Sequence, residues 1–318
     1  MGIPFLNRFL QQKAGSGINR VSLNDYRGKK IAVDISIYLY RFMSEGQFIE
    51  NFYMMMTLML KYEITPVFIF DGVPPQEKRH EIDLRYARKE KAYEEYCEKM
   101  TEYETSSGNK RKALKKELDN LKRQFIKVEK DDIEKVKNLI QSYGLSYYTA
   151  KGEADVVCAE LLSRGLVDAC MSDDMDLFVY GCNKVLRFLS ILNATVIEYD
   201  LEKILDELEI SFEGFKQVCV SSGTDYTSKE FKHDVSVDDI YAQYKEYVSE
   251  NYGDALTFYE WFARMRGLDE YDTELLNVDS MFALDNIVDD VDNINIYNSP
   301  VHSNRLKTIL CDNGFIFI

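Results

Sequence analysis

Three aspartates crowd the stretch Ser172-Asp173-Asp174-Met175-Asp176, which follows the apolar run Ala169-Cys170-Met171. In extended backbone the side chains alternate faces, so Asp174 and Asp176 are expected to point one way and Asp173 and Met175 the other. Two carboxylates held that close raise each other's pKa unless a cation lies between them. The pair reads as a site for Mg²⁺ or Mn²⁺, or as an Asp-rich surface turn after a strand. Other acids recur in similar settings. Lys30-Ile-Ala-Val-Asp34 and Pro66-Val-Phe-Ile-Phe-Asp71 each run an apolar segment into an aspartate, Gly152-Glu153-Ala-Asp155 opens an apolar helix, and Gly223-Thr-Asp225-Tyr226 follows another. Acids in a first helical turn are also ordinary dipole partners, so capping alone explains Glu153 and Asp155 equally well. Residues two apart do not share a face of a regular helix. If both serve one cluster, they do so from a frayed first turn or through a bridging water.

The hydrophobic pattern indicates what must position these acids. Short all-apolar runs entering from turns point to strands buried on both faces, as in a parallel sheet. Between the runs ending at Asp34 and Asp71 lies a Met- and Leu-rich core helix, Phe48 to Tyr62, which makes a βαβ unit. Ligands of open α/β sheets bind beyond the carboxyl ends of the strands, and Asp34, Asp71 and Asp174 all fall at such ends. An N-terminal helix carries Phe5, Leu6, Phe9 and Leu10 and gives way to a loop at Gly15 and Gly17. Further helices are expected over 132–143, from Gly152, from Leu201 and over 212–220, with strands over 145–149, 185–189 and 194–199. Beyond Tyr226 the chain is acidic, Tyr-rich and helical, with Trp261 as a core anchor, and Asp289, Asp290 and Asp292 read as a loop. The expected fold is α/β, a mostly parallel central sheet flanked by helices. A basic helical segment is inserted at 78–127, and a helical region occupies 227–318.

At 318 residues, 46% of them apolar, the chain can bury one large core or two ordinary ones. Its beginning is broken by polar residues too early for a signal peptide, and its apolar runs are too short to span a membrane. Six cysteines without C-x-x-C spacing read as reduced thiols of an intracellular protein and argue against zinc. Three histidines leave little room for His-based chemistry. A net charge of −15 seems to exclude nucleic acid, because phosphate binding needs a positive field. The distribution decides otherwise: Lys78 to Lys127 hold 15 Lys/Arg against 10 Asp/Glu, a local +5 in a chain that is −20 elsewhere. The two helical stretches of this segment, joined near Ser106 to Asn109, read as a solvated hairpin or as a phosphate-contacting arm. The run Lys110 to Lys116 also has the composition of a nuclear-import patch.

Taken in order, Met1-Gly2-Ile3, Val33-Asp34-Ile-Ser, Val67-Phe-Ile-Phe-Asp71-Gly-Val-Pro-Pro, Gly152-Glu153-Ala-Asp155, Ser172-Asp-Asp174-Met-Asp176 and Gly223-Thr-Asp225-Tyr resemble the flap endonucleases, structure-specific 5′ nucleases of the XPG type. The resemblance covers residues 1 to 226 and implies a PIN-like nuclease core with 78–127 as its helical arch. It implies that Asp34, Asp71, Glu153, Asp155, Asp174, Asp176 and Asp225 hold two Mg²⁺ or Mn²⁺ ions, Glu153 and Asp225 also facing the substrate. Lys78 and Arg85 fall on catalytic positions that reach the scissile phosphate, Tyr40 on the aromatic that stacks on the nucleotide at the cleavage site, and Gly2 and Gly223 on backbone positions close to DNA. The implied activity is hydrolysis of DNA with 5′ flaps, gaps, nicks or free 5′ ends in replication, repair or recombination. It belongs to a monomer in the nucleus or another DNA-replication compartment. The family has Glu where Asp155 stands and Arg where Met55 stands. It carries a Gly-rich, potassium-binding hairpin where this chain has Thr227 to Asp234, and residues 308–318 show no sliding-clamp motif. Two rivals are a non-catalytic DNA-junction binder and a Mg²⁺-dependent phosphatase. Seven retained acids speak against the first, and neither the arch nor that number of acids suits the second.

Overall fold

The computed structural model describes residues 2–228, 235–250, 256–268, 270–284 and 289–317. They form two compact units: Met1–Ile35 with Leu58–Pro74 and Leu145–Asn298, and Ser36–Thr57 with Pro75–Gly144 and Ser299–Ile318. All seven strands belong to the first: β1 (Ile18–Ser22), β2 (Lys30–Asp34), β3 (Thr65–Phe70), β4 (Ser146–Thr149), β5 (Ala169–Met171), β6 (Lys184–Ser190) and β7 (Thr195–Asp200). They lie in the order β1-β7-β6-β5-β2-β3-β4. The five strands from β6 to β4 run parallel, and β7 is antiparallel to both β6 and β1.

The inner strands are apolar along most of their length, as strands buried on both faces must be. In β2 and β3 every residue after the first is buried. The edge strand β1, Ile-Asn-Arg-Val-Ser, was not expected from the sequence: it pairs only with β7 and needs no second apolar face, so its pattern reads as a loop. Register sets where the chain leaves the sheet. Val33 lies opposite both Phe68 and Met171, so Asp34, Ser172 and the residues after Phe70 depart along one margin.

The expected boundary at residue 226 does not divide the compact units. Val237, Ile240, Trp261, Phe262, Tyr271 and Leu275, from the helices Val237–Ser249, Phe258–Arg266 and Tyr271–Met281, join one buried cluster with sheet residues such as Val67 and Cys170. These helices have no sheet of their own, so their apolar faces close over the helix Phe212–Ser221. A part-buried ion pair, Lys216 to Asp279 at 2.7 Å, ties them down, and the Tyr259 hydroxyl donates to the same carboxylate. The expected Asp289–Asp292 loop holds a short 3₁₀ turn, Val291–Asn293, and its acids are structural: Asp289 accepts from the Tyr148 hydroxyl and Asp292 pairs with Arg164.

In the second unit the basic segment forms two helices, Arg79–Thr105 and Gly108–Gln124, packed against each other. Their contact uses Leu114, Leu118 and Leu121, spaced along one helical stripe, and Phe125 between the rings of Tyr93 and Tyr96. Lys110 and Glu102 pair across the hairpin at 2.8 Å. Met55, where the family carries a duplex-contacting Arg, is fully buried. No helix among the described residues is long and apolar enough to cross a membrane.

Candidate active site

Three neighbouring parallel strands, β5, β2 and β3, deliver the first acids. Asp34 ends β2, and the Ser172 hydroxyl, one residue past β5, donates to Asp34 Oδ2 at 2.8 Å. The Asp174 N–H donates to the same hydroxyl oxygen at 3.1 Å, so one serine holds two aspartates in relation. Asp71 follows β3, and its Oδ1 accepts the Ala154 N–H at 2.8 Å, at the first residue of the helix Ala154–Ser163. The cap of this helix therefore comes from the neighbouring strand end. Glu153, the N-cap residue, makes no side-chain cap bond. It is extended (φ −89°, ψ 143°) and lies outside the helix, while Asp155 sits in the first turn. The shared-face restriction on residues two apart therefore does not apply, and capping does not explain Glu153.

The extended reading of Asp174 and Asp176 needs correcting. The chain leaves the sheet at Met171, and Asp176 is the first residue of a short helix, Asp176–Val179. The two carboxylates nevertheless converge, because the turn between them closes with the Asp176 N–H donating to Asp174 Oδ1 at 3.2 Å. Gly2 measures the convergence: a methyl group on its α-carbon would meet Asp174 Oδ1 at 2.5 Å and approach Asp176 Oδ1 more closely still. Asp176 is fully buried, and Asp34 and Asp155 are nearly so.

Tyr226 connects the remaining acids. Its hydroxyl donates to Glu153 Oε2 at 2.5 Å and lies 3.3 Å from that of Tyr180. Asp225, the preceding residue, is carried on a turn tightened by the Thr224 N–H donating to Thr227 Oγ1. Burial pushes the Tyr226 hydroxyl up, and Tyr180, Glu153 and Asp155 add to the shift, so it remains a donor. Tyr180 rises for the same first reason, with Asp155, Glu153 and Asp176 among its neighbours. The Cys158 thiol is raised by burial and then by Asp34, Asp155 and Asp71 among others. Five of the seven acids thus act on a small set of buried groups, Asp174 joins them through Ser172 and the Asp176 N–H, and Asp225 through Tyr226. Gly223 has φ +88° with open space where a side chain would stand.

Gly72 joins two of these loops. Its N–H donates to the Gly152 carbonyl at 2.7 Å and that of Val73 to the Lys151 carbonyl at 3.0 Å, which holds Asp71 beside Glu153. A side chain at Gly72 would collide with the Ala150 carbonyl and meet the Lys151 carbonyl at 2.6 Å, and backbone cannot yield as a flexible side chain can. Gly72→Ala is expected to lower the unfolding free energy by about 1–3 kcal/mol in urea titration.

The donor set is all oxygen and anionic, which suits Mg²⁺ or Mn²⁺ and not a soft metal. Among the described residues no three His, Cys, Asp or Glu side chains are gathered as a ready-made ligand set. Asp34, Asp71, Glu153 and Asp174 are instead each held by a neutral donor, the outer arrangement that positions ligands around an ion.

In the second unit Lys78 precedes the helix Arg79–Thr105, and Arg85 follows seven residues on, a spacing that returns to the same face. Lys78 is buried, and Arg85 pairs with Glu81 at 3.5 Å. Tyr40, on the helix Ser36–Glu45, is half exposed and carries the Lys89 ammonium over its ring at 4.8 Å. Burial lowers the Lys89 pKa, as do Arg85 and Lys127. Lys89 carries no mark in the sequence that sets it apart from the other basic residues of its segment; Ser172, Asp173 and Tyr226 lie inside the quoted motifs, but nothing in the sequence assigns them these partners.

The XPG N-terminal domain signature matches residues 1–92, and the XPG I-region signature matches residues 144–225. The chain belongs to the XPG family. Curated relatives of this XPG-family chain include proteins named flap endonuclease 1 from Theileria annulata, 32% identical over 244 residues, and Nematostella vectensis, 31% identical over 245. Each match covers 71% of this chain but only 46% and 62% of the respective relatives' length. Among solved structures, the catalytic core of Rad2 in complex with DNA substrate superposes with a TM-score of 0.67 at 22% identity, over 95% of this chain and 93% of that one. Flap endonuclease-1 from Methanococcus jannaschii gives 0.63 at 22%, over 93% and 90%. These likenesses show a shared α/β fold with a mostly parallel sheet flanked by helices. Residues 229–234, most of the stretch where the family's hairpin would stand, lie outside the described residues.

Proposed function

We propose that the chain is a structure-specific 5′ nuclease that hydrolyses DNA phosphodiesters near 5′ flaps, gaps, nicks or free 5′ ends, leaving 5′-phosphate and 3′-hydroxyl products. The observation that carries this reading is that Asp34 stands at, and Asp71 and Asp174 just past, the carboxyl ends of three adjacent parallel strands. Asp34, Asp71, Glu153, Asp155, Asp174, Asp176 and Asp225 would hold two Mg²⁺ or Mn²⁺ ions within 1–226. Bound there, such a pair supplies a water of lowered pKa and neutralises charge on the phosphate. The chain's own groups do the rest. Ser172 and Tyr226 fix the directions of Asp34 and Glu153, and Gly2 and Gly223 let the DNA backbone approach. Lys78 and Arg85, from the arch over 78–127, stabilise charge developing on the phosphate, and Tyr40 stacks on the nucleotide at the cleavage site. The acidic body repels duplex away from the arch, so affinity is modest and falls steeply with salt. The enzyme acts as a monomer in the nucleus or another compartment where DNA is replicated, repaired or recombined.

The test is incubation of the purified protein with end-labelled flap, gapped and nicked duplexes and with a small phosphomonoester, each with Mg²⁺ or EDTA. Expected is cleavage near the 5′ junction that EDTA abolishes. Binding without cleavage would make the chain a junction binder, and release of phosphate from the monoester alone would make it a phosphatase.

A further inference from the structure

Beneath the turn that carries Asp174 lies a cation that the proposed chemistry does not use. Arg187, on β6, is 4% exposed. Its Nη1 donates to Asn7 Oδ1 at 2.6 Å and its Nη2 to the Asp173 carbonyl at 2.7 Å. The guanidinium lies over the rings of Phe188 (4.6 Å) and Tyr199 (5.2 Å), and the Tyr199 hydroxyl donates to the same Asn7 oxygen. The Asp173 side chain closes the circuit by accepting the Phe188 N–H at 2.7 Å. Phe188 has φ +53°, and the pairing of β6 with β7 slips between Arg187 and Ser190. Left-handed backbone at an aromatic residue is unfavourable and persists only where its surroundings impose it, and bulges re-aim side chains beside active sites.

Burying a guanidinium is a poor way to gain stability, and here Nε has no hydrogen-bond partner among the described residues. What the group does is geometric. One end of its fork holds the turn between Ser172, which orients Asp34, and Asp174. The other holds the N-terminal segment five residues after Gly2, which abuts Asp174 and Asp176. We infer that Arg187 is a positioning residue, which sets the distance between the N-terminal segment and the Asp173–Asp176 turn and thereby the divalent-ion affinity of the acid cluster. This rests on the proposed nuclease reading.

The experiment titrates Mn²⁺ alone, followed by its EPR signal, into wild-type protein, Arg187→Met, Arg187→Lys and Asn7→Leu, with circular dichroism as a check of folding. Arg187→Met and Asn7→Leu are expected to bind Mn²⁺ at least about tenfold more weakly, with Arg187→Lys in between. The metal-free melting temperature of Arg187→Met should be near wild type and that of Asn7→Leu lower, because the guanidinium and the Tyr199 hydroxyl lose their shared acceptor, and the metal-induced rise in melting temperature should be reduced in both. Asn7→Leu keeps the test open if Arg187→Met does not fold. Folded variants with wild-type Mn²⁺ affinity would overturn the inference alone. Wild-type protein that takes up no Mn²⁺ would overturn it together with the nuclease reading.

Discussion

Asp174→Asn is expected to slow Mg²⁺-dependent DNA cleavage by about a thousandfold or more, equivalent to about 4 kcal/mol in the barrier, while leaving DNA binding measurable. Asparagine has nearly the same shape, its amide oxygen can still accept the Asp176 N–H, and its own N–H still reaches Ser172. What disappears is one negative charge and one hard anionic ligand. In metal-free protein that loss relieves repulsion from Asp176, so the melting temperature without Mg²⁺ should hold steady or rise as activity collapses. Single-turnover cleavage of a labelled flap across a Mg²⁺ series, with anisotropy binding in Ca²⁺, separates the two effects. Cleavage near the wild-type rate would remove Asp174 from the chemistry. A fall in melting temperature matching the fall in rate would make its role structural.

The sheet was readable because burial on both faces leaves an unambiguous mark. The runs ending at Asp34 and Asp71 are strands at those positions, and a strand running into Asp is all that places an acid at the margin. The same logic could not find β1, whose exposed edge lets polar residues stand where an inner strand demands Val or Ile. It also could not show that the C-terminal helices share the first unit's core. Their amphipathic pattern states that a face must be covered and says nothing of what covers it.

The acids were legible by type and by the element that delivers them, but not by direction. Alternation predicts that Asp174 and Asp176 point together, and they do converge, yet through a turn and a helix start that alternation does not describe. Asp71 capping the helix after Glu153 pairs residues 83 apart in the chain, and no local pattern encodes it. Arg187 is the clearest omission. Within Val185-Leu186-Arg187-Phe188-Leu189 it looks like one charged residue in a strand, and its burial follows from partners far away in the chain, Asn7 and the Asp173 carbonyl, which no local pattern encodes.

Gly2→Ala tests geometry with every charge left in place. Gly2 has φ +75°, a region where an L-alanine is disfavoured by about 1–2 kcal/mol. The larger effect is steric. A methyl group 2.5 Å from Asp174 Oδ1, and nearer to Asp176, must push the carboxylates or its own segment away by about an ångström to reach ordinary contact. Misplacement on that scale lowers catalysis by about a hundredfold. The expected result is therefore a loss of about that size in the single-turnover rate, with DNA affinity changed far less and the unfolding free energy in urea lowered by about 1–2 kcal/mol, the backbone penalty alone, since the segment can shift to relieve the contact without opening the core. The Mg²⁺ concentration for half-maximal rate should rise, because the ligands are displaced and not removed. Here the variant parts company with Asp174→Asn: a displaced carboxylate can be drawn back by excess metal and an absent one cannot, so high Mg²⁺ should recover part of the rate for Gly2→Ala only. A wild-type rate in Gly2→Ala would show that the close approach of the N-terminal segment to these two aspartates has no part in setting their working geometry.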